Sequence, residues 1–361
     1  TLHWMKNRRH ELKVDPTSSW VLINIDVQGY FRVNYDENNW QALAKQLLDD
    51  HMVIDKKNRA QLINDAFVLA SDGRLQLKTA LSLLGYMQKE SDYPAWGALA
   101  EELGRLKAYL GRTSVYGKFE KFVRNLFIPA YNKTQLVIRD SDSLDLRFLR
   151  LRAVDWACST GYGPCVDEAV RQYRAWMDGT FKVHPDLLAY VYCTAIRAGG
   201  HEEWDHLYDY FRFKPKPTEL FKILYALGCS REPWILTRYL ERSLNTSIFR
   251  PGDSFVIPFY ISWNPHGSIL AWNFMRRHWS TYKANLAANW ATPMSSVLEN
   301  LATRLNSPSE LQEMEDFINS QPEDEKNLPL FKKAKEKVQG NIMWMKKNYQ
   351  TVNIWLHSLD L

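Results

Sequence analysis

Nine histidines and four cysteines are the side chains in this 361-residue sequence best suited to metal or nucleophile chemistry. Metal-binding helices that carry two ligands space them as His-Glu-x-x-His, because positions i and i+4 share one helical face. No histidine pair here has that spacing. The nearest approach is His201-Glu202-Glu203-Trp204-Asp205-His206, whose i, i+5 interval turns the two rings roughly 140° apart at 3.6 residues per turn. Such a pair cannot chelate one metal. Gly199-Gly200 followed by Glu202 and Glu203 predicts a polar helix start, acidic where the dipole favours it. Gly-x-Ser-x-Gly, Walker and dinucleotide-binding glycine patterns do not occur. Asp140-Ser141-Asp142-Ser143-Leu144-Asp145 is like a calcium loop but lacks the central Gly and the closing Glu, so a capped helix start is expected there. The sequence therefore predicts no catalytic residue, no metal ligand and no cofactor site within this chain.

The cysteines point elsewhere. Cys158 and Cys165 bracket a turn-forming loop, Ser-Thr-Gly-Tyr-Gly-Pro, whereas Cys193 and Cys229 lie in consecutive helical hairpins. Four cysteines can pair in three ways, and the sequence alone does not choose among them. Four buried free thiols are the alternative, and the absence of a Cys-x-x-Cys interval argues against zinc. Two glycosylation sequons, Asn132-Lys133-Thr134 and Asn245-Thr246-Ser247, are expected in polar loops after helices. Together with the cysteines they favour the secretory route.

The elements that must carry these residues fall into two kinds. Apolar and polar residues alternate through 20–26 and again through 30–35, with Gly29 between them, which predicts a β-hairpin. Residues 3–14 read as another strand of the same β-domain, entered part-way. At Asp36-Glu37-Asn38-Asn39 the pattern changes to an N-cap followed by Trp40, Leu43, Leu47 and Leu48 at helical spacing. The next helix, 59–70, gathers Leu62, Ile63, Ala66, Phe67 and Leu69 on one face, and its Arg59 and Asp65 are expected to form a structural ion pair or capping network. Beyond residue 37 only helical periodicity is found, in segments such as 96–110, 144–159, 185–198, 217–227, 232–244, 268–285 and 328–359. Their pairing every 30 to 40 residues or so predicts a mainly α fold, an α-α superhelix of HEAT- or armadillo-like hairpins preceded by a short partial β-sandwich segment. The domain division is 1–36 and 37–361.

Composition narrows the function classes. A 45% hydrophobic, 24% charged chain is folded rather than disordered. The 14 tryptophans recur inside helical patterns, as expected of anchors between stacked helices. A net charge of +5, with Arg276-Arg277-His278 and Lys332-Lys333-Lys335-Lys337 interrupted by other residues at helical spacing, describes solvated helix faces and excludes nucleic acid as a partner. The apolar stretch 255–261 is too short for a bilayer and contains Pro258. No charged stretch leading into an apolar core, as in a signal peptide, is seen.

The run Gly29-Tyr30-Phe31-Arg32-Val33-Asn34-Tyr35-Asp36, followed by Arg59-Ala60-Gln61-Leu62-Ile63-Asn64-Asp65-Ala66-Phe67, resembles the junction of the third and fourth domains in the M1 zinc aminopeptidase family, aminopeptidase N-like members above all. The resemblance extends over essentially the whole chain and makes Gly29, Tyr30, Arg59 and Asp65 its structural motif residues. It implies a C-terminal, non-catalytic region of a zinc metallopeptidase that removes N-terminal residues from peptides. In that family an HExxH helix with a downstream Glu holds Zn²⁺ and a GAMEN-type segment holds the substrate amine; neither occurs here. The resemblance implies that this region walls the substrate cavity, supports the catalytic domain of the same polypeptide and contributes to homodimers. It implies a parent on the extracellular side of the plasma membrane, anchored by an upstream helix. It also implies the bridges Cys158–Cys165 and Cys193–Cys229, worth roughly 2.5 and 4 kcal/mol in the chain-entropy model. The alternative is a stand-alone α-solenoid binding module without peptidase activity.

Overall fold

In a computed structural model, residues 8, 9, 11, 13, 15, 17–213 and 216–361 are described. The strand expected over 3–14 lies largely outside them. Contacts divide the chain into two compact units, residues 1–99 and 100–361. Among the described residues there is helix and connecting segment but no strand.

The first unit is built on α1 (Glu37–Asp50), α2 (Lys56–Ser71) and α3 (Leu77–Ser82). Asp36 caps α1, its side chain accepting from Asn39 N, as the sequence predicts. Trp40, Leu43 and Leu47 are buried, as are Leu62, Ile63, Ala66, Phe67 and Leu69. Leu48 departs from the expected stripe and is about half exposed.

The β-hairpin predicted over residues 20–35 is not formed. Residues Ile25–Val27 make a single 3-10 turn, with left-handed backbone at Asn24, Asp26 and Val27. An isolated two-stranded hairpin has little stability of its own, and here the backbone groups find side-chain partners instead. Val21 N donates to Asn39 Oδ1 (2.7 Å) and Val21 O accepts from Asn39 Nδ2 (2.9 Å). Ile23 N donates to the Tyr35 hydroxyl (2.9 Å) and Asp26 N to Asn58 Oδ1 (3.1 Å). Gly29 does mark the reversal. Its N–H donates to Asn24 Oδ1 (2.7 Å), its carbonyl accepts from Asn24 Nδ2 (3.0 Å), and a Cβ there would fall 2.1 Å from the Phe31 ring.

Helix α4 (Tyr93–Leu110) leads into α5 (Tyr116–Thr134), α6 (Leu144–Ser159), α7 (Gly163–Met177), α8 (Leu188–Ala198), α9 (His201–Phe213) and α10 (Leu220–Leu227). Next come α11 (Pro233–Ser243), the single turn α12 (Pro251–Ser254), α13 (Val256–Ser262), α14 (Ser268–Arg277) and α15 (Trp279–Leu286). The chain closes with α16 (Ala291–Ala302), α17 (Pro308–Asn319) and α18 (Pro329–Ser358). The apolar run 255–261 thus contributes a helix. Pro258 is tolerated because it sits in the first turn, where its missing N–H has no intrahelical acceptor. The segment expected over 268–285 is broken at His278 into α14 and α15.

Within residues 100–361, α6 packs on α8, α8 on α10, α10 on α13, α13 on α16 and α16 on α18. Such a succession is the contact pattern of stacked helical hairpins. The row also returns on itself, because α18 packs on α5. Trp344 stacks on Tyr109 at 4.1 Å, and Trp355 meets Phe122 edge-on at 4.7 Å. Asn341 Nδ2 donates to Ala302 O (2.9 Å) and Leu305 O (2.8 Å), satisfying carbonyls at the end of α16. Buried Trp204, Trp272, Tyr239 and Tyr282 fill the spaces between layers.

Candidate functional site: a cation-lined cavity

The ends of several helices in the second unit surround a cavity of about 480 Å³. Lys107 enters from α4, Tyr116 and Glu120 from α5, Asp155 and Trp156 from α6, and Arg197 from the last turn of α8. Tyr225, Cys229 and Arg231 come from the end of α10 and beyond, Tyr260 and Trp263 from α13 and its cap, and Arg304 from just after α16. Asn264 ties the rim together, its Nδ2 donating to Gly228 O (3.0 Å) and Ser230 O (2.5 Å).

The walls are charged but poorly hydrated. Burial pulls the Lys107 ammonium down to about 8, Arg197 and Arg304 add to the effect, and Asp155 opposes it. The Asp155 carboxyl is pushed up by burial, against the pull of Lys107, Arg197 and Arg152. Desolvation outweighs attraction in this pair, so neither charge is fully compensated. Lys107 Nζ lies 5.6 Å from the Trp156 ring centre, a cation–π contact. Burial also lowers Arg304, whose buried Nε meets no acceptor. Tyr225 is raised to about 12 by burial, so its hydroxyl stays protonated. The arrangement is a set of guanidinium and ammonium groups over aromatic walls, with positive charge in excess. It suits a compact anion attached to an apolar body.

Of the residues singled out in the sequence, Cys229 is on this wall. Cys193 is bonded to it, with Cα atoms 5.3 Å apart, and Cys158 is bonded to Cys165 at 5.1 Å. Lys107, Asp155, Arg197 and Arg304 were not legible as a group, since each comes from a different part of the array and alone resembles an ordinary polar position in or beside a helix.

The remaining motif residues lie apart from the cavity. Arg59 and Asp65 do not pair with each other, because six residues on one helix place them on different sides. Arg59 instead forms a buried cluster, with Nε to Glu90 Oε2 at 2.7 Å, Nη2 to Glu90 Oε1 at 3.0 Å and to Asp92 Oδ2 at 2.7 Å, and Nη1 to Ile54 O at 2.7 Å. Asp65 accepts from Val33 N (3.0 Å) and from Arg32 Nη1 (3.1 Å), fastening the 20–35 segment to α2. Tyr30 is fully exposed.

Asn132 is not in a loop but in the last turn of α5, and its Thr134 is buried with the hydroxyl donating to Ala130 O (2.8 Å). Asn245 is in the turn after α11, where Ser247 N (2.9 Å) and Ser247 Oγ (2.6 Å) both donate to its Oδ1. His201 and His206 belong to α9, where Glu203 accepts from Gly200 N (2.9 Å) and His206 packs edge-on against Trp176. Asp142 accepts from Arg139 N and pairs with Arg150, and Ser143 caps α6, so the calcium-like loop is a helix start.

Among the described residues, no group of three or more His, Cys, Asp or Glu could hold a metal ion. Among the same residues no helix is long and apolar enough to cross a membrane.

Comparison with known proteins places these features. The chain is 34% identical over 363 residues to aminopeptidase N of Rattus norvegicus, covering 98% of this chain and 38% of that protein. Human aminopeptidase N is 33% identical over 98% of the chain and 37% of its own length. The thyrotropin-releasing hormone-degrading ectoenzyme of Rattus norvegicus is 31% identical, over 98% and 34%. The chain thus spans little more than a third of the length of these curated relatives. Residues 20–340 match the model of the ERAP1-like C-terminal domain, so the chain belongs to the ERAP1-like C-terminal domain family.

Proposed function

We propose that this chain is the non-catalytic C-terminal region of an aminopeptidase N-like zinc metallopeptidase, and that its cavity forms part of the wall that receives peptide substrates. The observation that carries the reading is the excess of cations, Lys107, Arg197 and Arg304, around an aromatic-lined space. A peptide presents such a site with a carboxylate on an apolar stem. Zinc and the attack on the N-terminal peptide bond belong to residues outside this chain, in a catalytic domain that this region helps to fold. The parent works on the extracellular side of the plasma membrane as a homodimer, with glycans at Asn132 and Asn245 and a domain division near residue 36. The two disulfides and the relatives' names support that setting.

The test is made on the intact parent. Lys107→Met should raise KM for a peptide acid about tenfold, equivalent to about 1.4 kcal/mol, while leaving the peptide amide and a single-residue anilide unchanged. Equal effects on acid, amide and anilide would remove the carboxylate from the proposal. The isolated chain, in turn, should bind no stoichiometric zinc and turn over no alanine anilide; chelator-sensitive turnover would refute the non-catalytic assignment.

A further inference from the structure

We infer that the Cys193–Cys229 disulfide is a thiol-exchange site, and that the cavity delivers to it a small thiol bearing negative charge. The two disulfides stand in different surroundings. All four cysteines are buried, and a backbone carbonyl faces one sulfur of each bridge, Val154 O at 3.7 Å from Cys165 Sγ and Tyr225 O at 3.6 Å from Cys229 Sγ. The difference lies at Cys193. At Cys193–Cys229, Arg197 Nη2 is 3.1 Å from Cys193 Sγ and the Tyr225 hydroxyl is 3.7 Å from the same sulfur. A guanidinium at that distance stabilises a thiolate and makes Cys193 the better leaving group. The other sulfur belongs to Cys229, which lines the cavity. Entry is therefore from the Cys229 side and departure is toward Arg197.

The chemistry closes without a further oxidant. A thiol loses its proton to solvent and its thiolate attacks Cys229 Sγ. The S–S bond breaks, its electron pair leaves on Cys193, and a mixed disulfide remains at Cys229. A second thiolate attacks the incoming sulfur and departs as the small-molecule disulfide, and the Cys229 thiolate takes a proton back from solvent. Two thiols are oxidised and one cystine is reduced, a two-electron exchange. Lys107, Arg197, Arg231 and Arg304 against Asp155 and Glu120 leave the approach net positive, which concentrates anionic thiols and repels cationic ones. Opening the bridge releases α8 from the segment after α10, two parts of the same wall.

The full chain is exposed to mercaptoethanesulfonate, mercaptoethanol or cysteamine at equal thiolate concentration, quenched by alkylation and mapped as peptides. Cys193–Cys229 should open before Cys158–Cys165, with the adduct on Cys229. The rates should fall from the anionic to the neutral to the cationic thiol over about tenfold. Opening of Cys158–Cys165 at the same rate, an adduct on Cys193, or a flat or reversed charge order would each overturn the inference. Arg197→Gln should slow the exchange severalfold and Arg197→Lys should retain the charge order. A correctly folded Arg197→Gln chain that exchanges as fast as the parent would overturn the role of Arg197. The thiol series on the unmodified chain decides the rest whether or not the variants fold.

Discussion

The segment over residues 20–35 and the helical array over 100–361 satisfy their backbones in opposite ways. In the array each helix meets its own hydrogen-bonding needs and then buries an apolar face, so Trp204, Tyr239 and Trp272 are almost inaccessible. The 20–35 segment has no ladder. It borrows Asn39, Asn58 and Asp65 from adjacent helices and uses its own Tyr35, while Ile23, Ile25, Val27, Tyr30 and Phe31 stay exposed. The same alternation that makes a strand legible in a sequence yields a strand only when a neighbour accepts its edges. Without one, side chains from adjacent helices take over, and apolar residues are left in water.

The sharpest test of this contrast removes the buried charge under α2. Burial alone would push the Glu90 carboxyl up, but the Arg59 guanidinium and nearby N–H groups hold it below its ordinary value. Arg59→Leu strands that carboxylate, and urea unfolding should show a loss of roughly 3–5 kcal/mol. Because Glu90 is lowered in the folded state, its contribution is present above the ordinary carboxylate range and disappears as pH falls through its folded value. The wild-type chain should therefore lose acid stability that the variant does not have to lose.

Replacing Cys193 and Cys229 together by Ala should cost about 4 kcal/mol at most, and replacing Cys158 and Cys165 about 2.5 kcal/mol. Reversed ranking in thermal unfolding would mean that native packing, not loop length, sets their worth. Asp65→Ala should cost about 1–3 kcal/mol and act locally. Hydrogen exchange over residues 20–35 is expected to be faster than in the helices around Ile63 and Ile196 already in the parent, and faster again in the variant. Equal, slow exchange throughout would show that the side-chain partners hold this segment as firmly as the helices hold their own backbones.

The smallest effect concerns pH in the cavity. Lys107 titrates near 8 when folded and near its ordinary, higher value when unfolded. Between these values the unfolded chain holds the extra proton, so stability should rise with pH above about 8. Lys107→Met should flatten that rise.

Much of the helical fold could be read from residue spacing. The segment read over 144–159 coincides with α6 (Leu144–Ser159), because Ser143 caps its start and a glycine-containing loop ends it. The hairpin at 20–35 was misread because alternation reports a two-faced backbone and says nothing of a partner. Helix α13 was passed over because Pro258 counts against a helix everywhere except its first turn. The cavity was invisible for a geometric reason. Lys107, Asp155, Arg197 and Arg304 are separated by 40 or more residues in sequence and converge only when α4, α6, α8 and α16 are stacked.

The return of α18 to α5 has a consequence in time. Arg112 reaches Glu310 and the carbonyl of Arg304, Tyr109 stacks on Trp344, and Phe122 meets Trp355. Contacts of such long sequence separation form late, since the intervening chain must be brought together first. During synthesis from the N-terminal side, α5 emerges with one flank bare and stays so until α18 has followed it. The last long helix is thus the element that completes the packing of α5, long after α5 itself has been made.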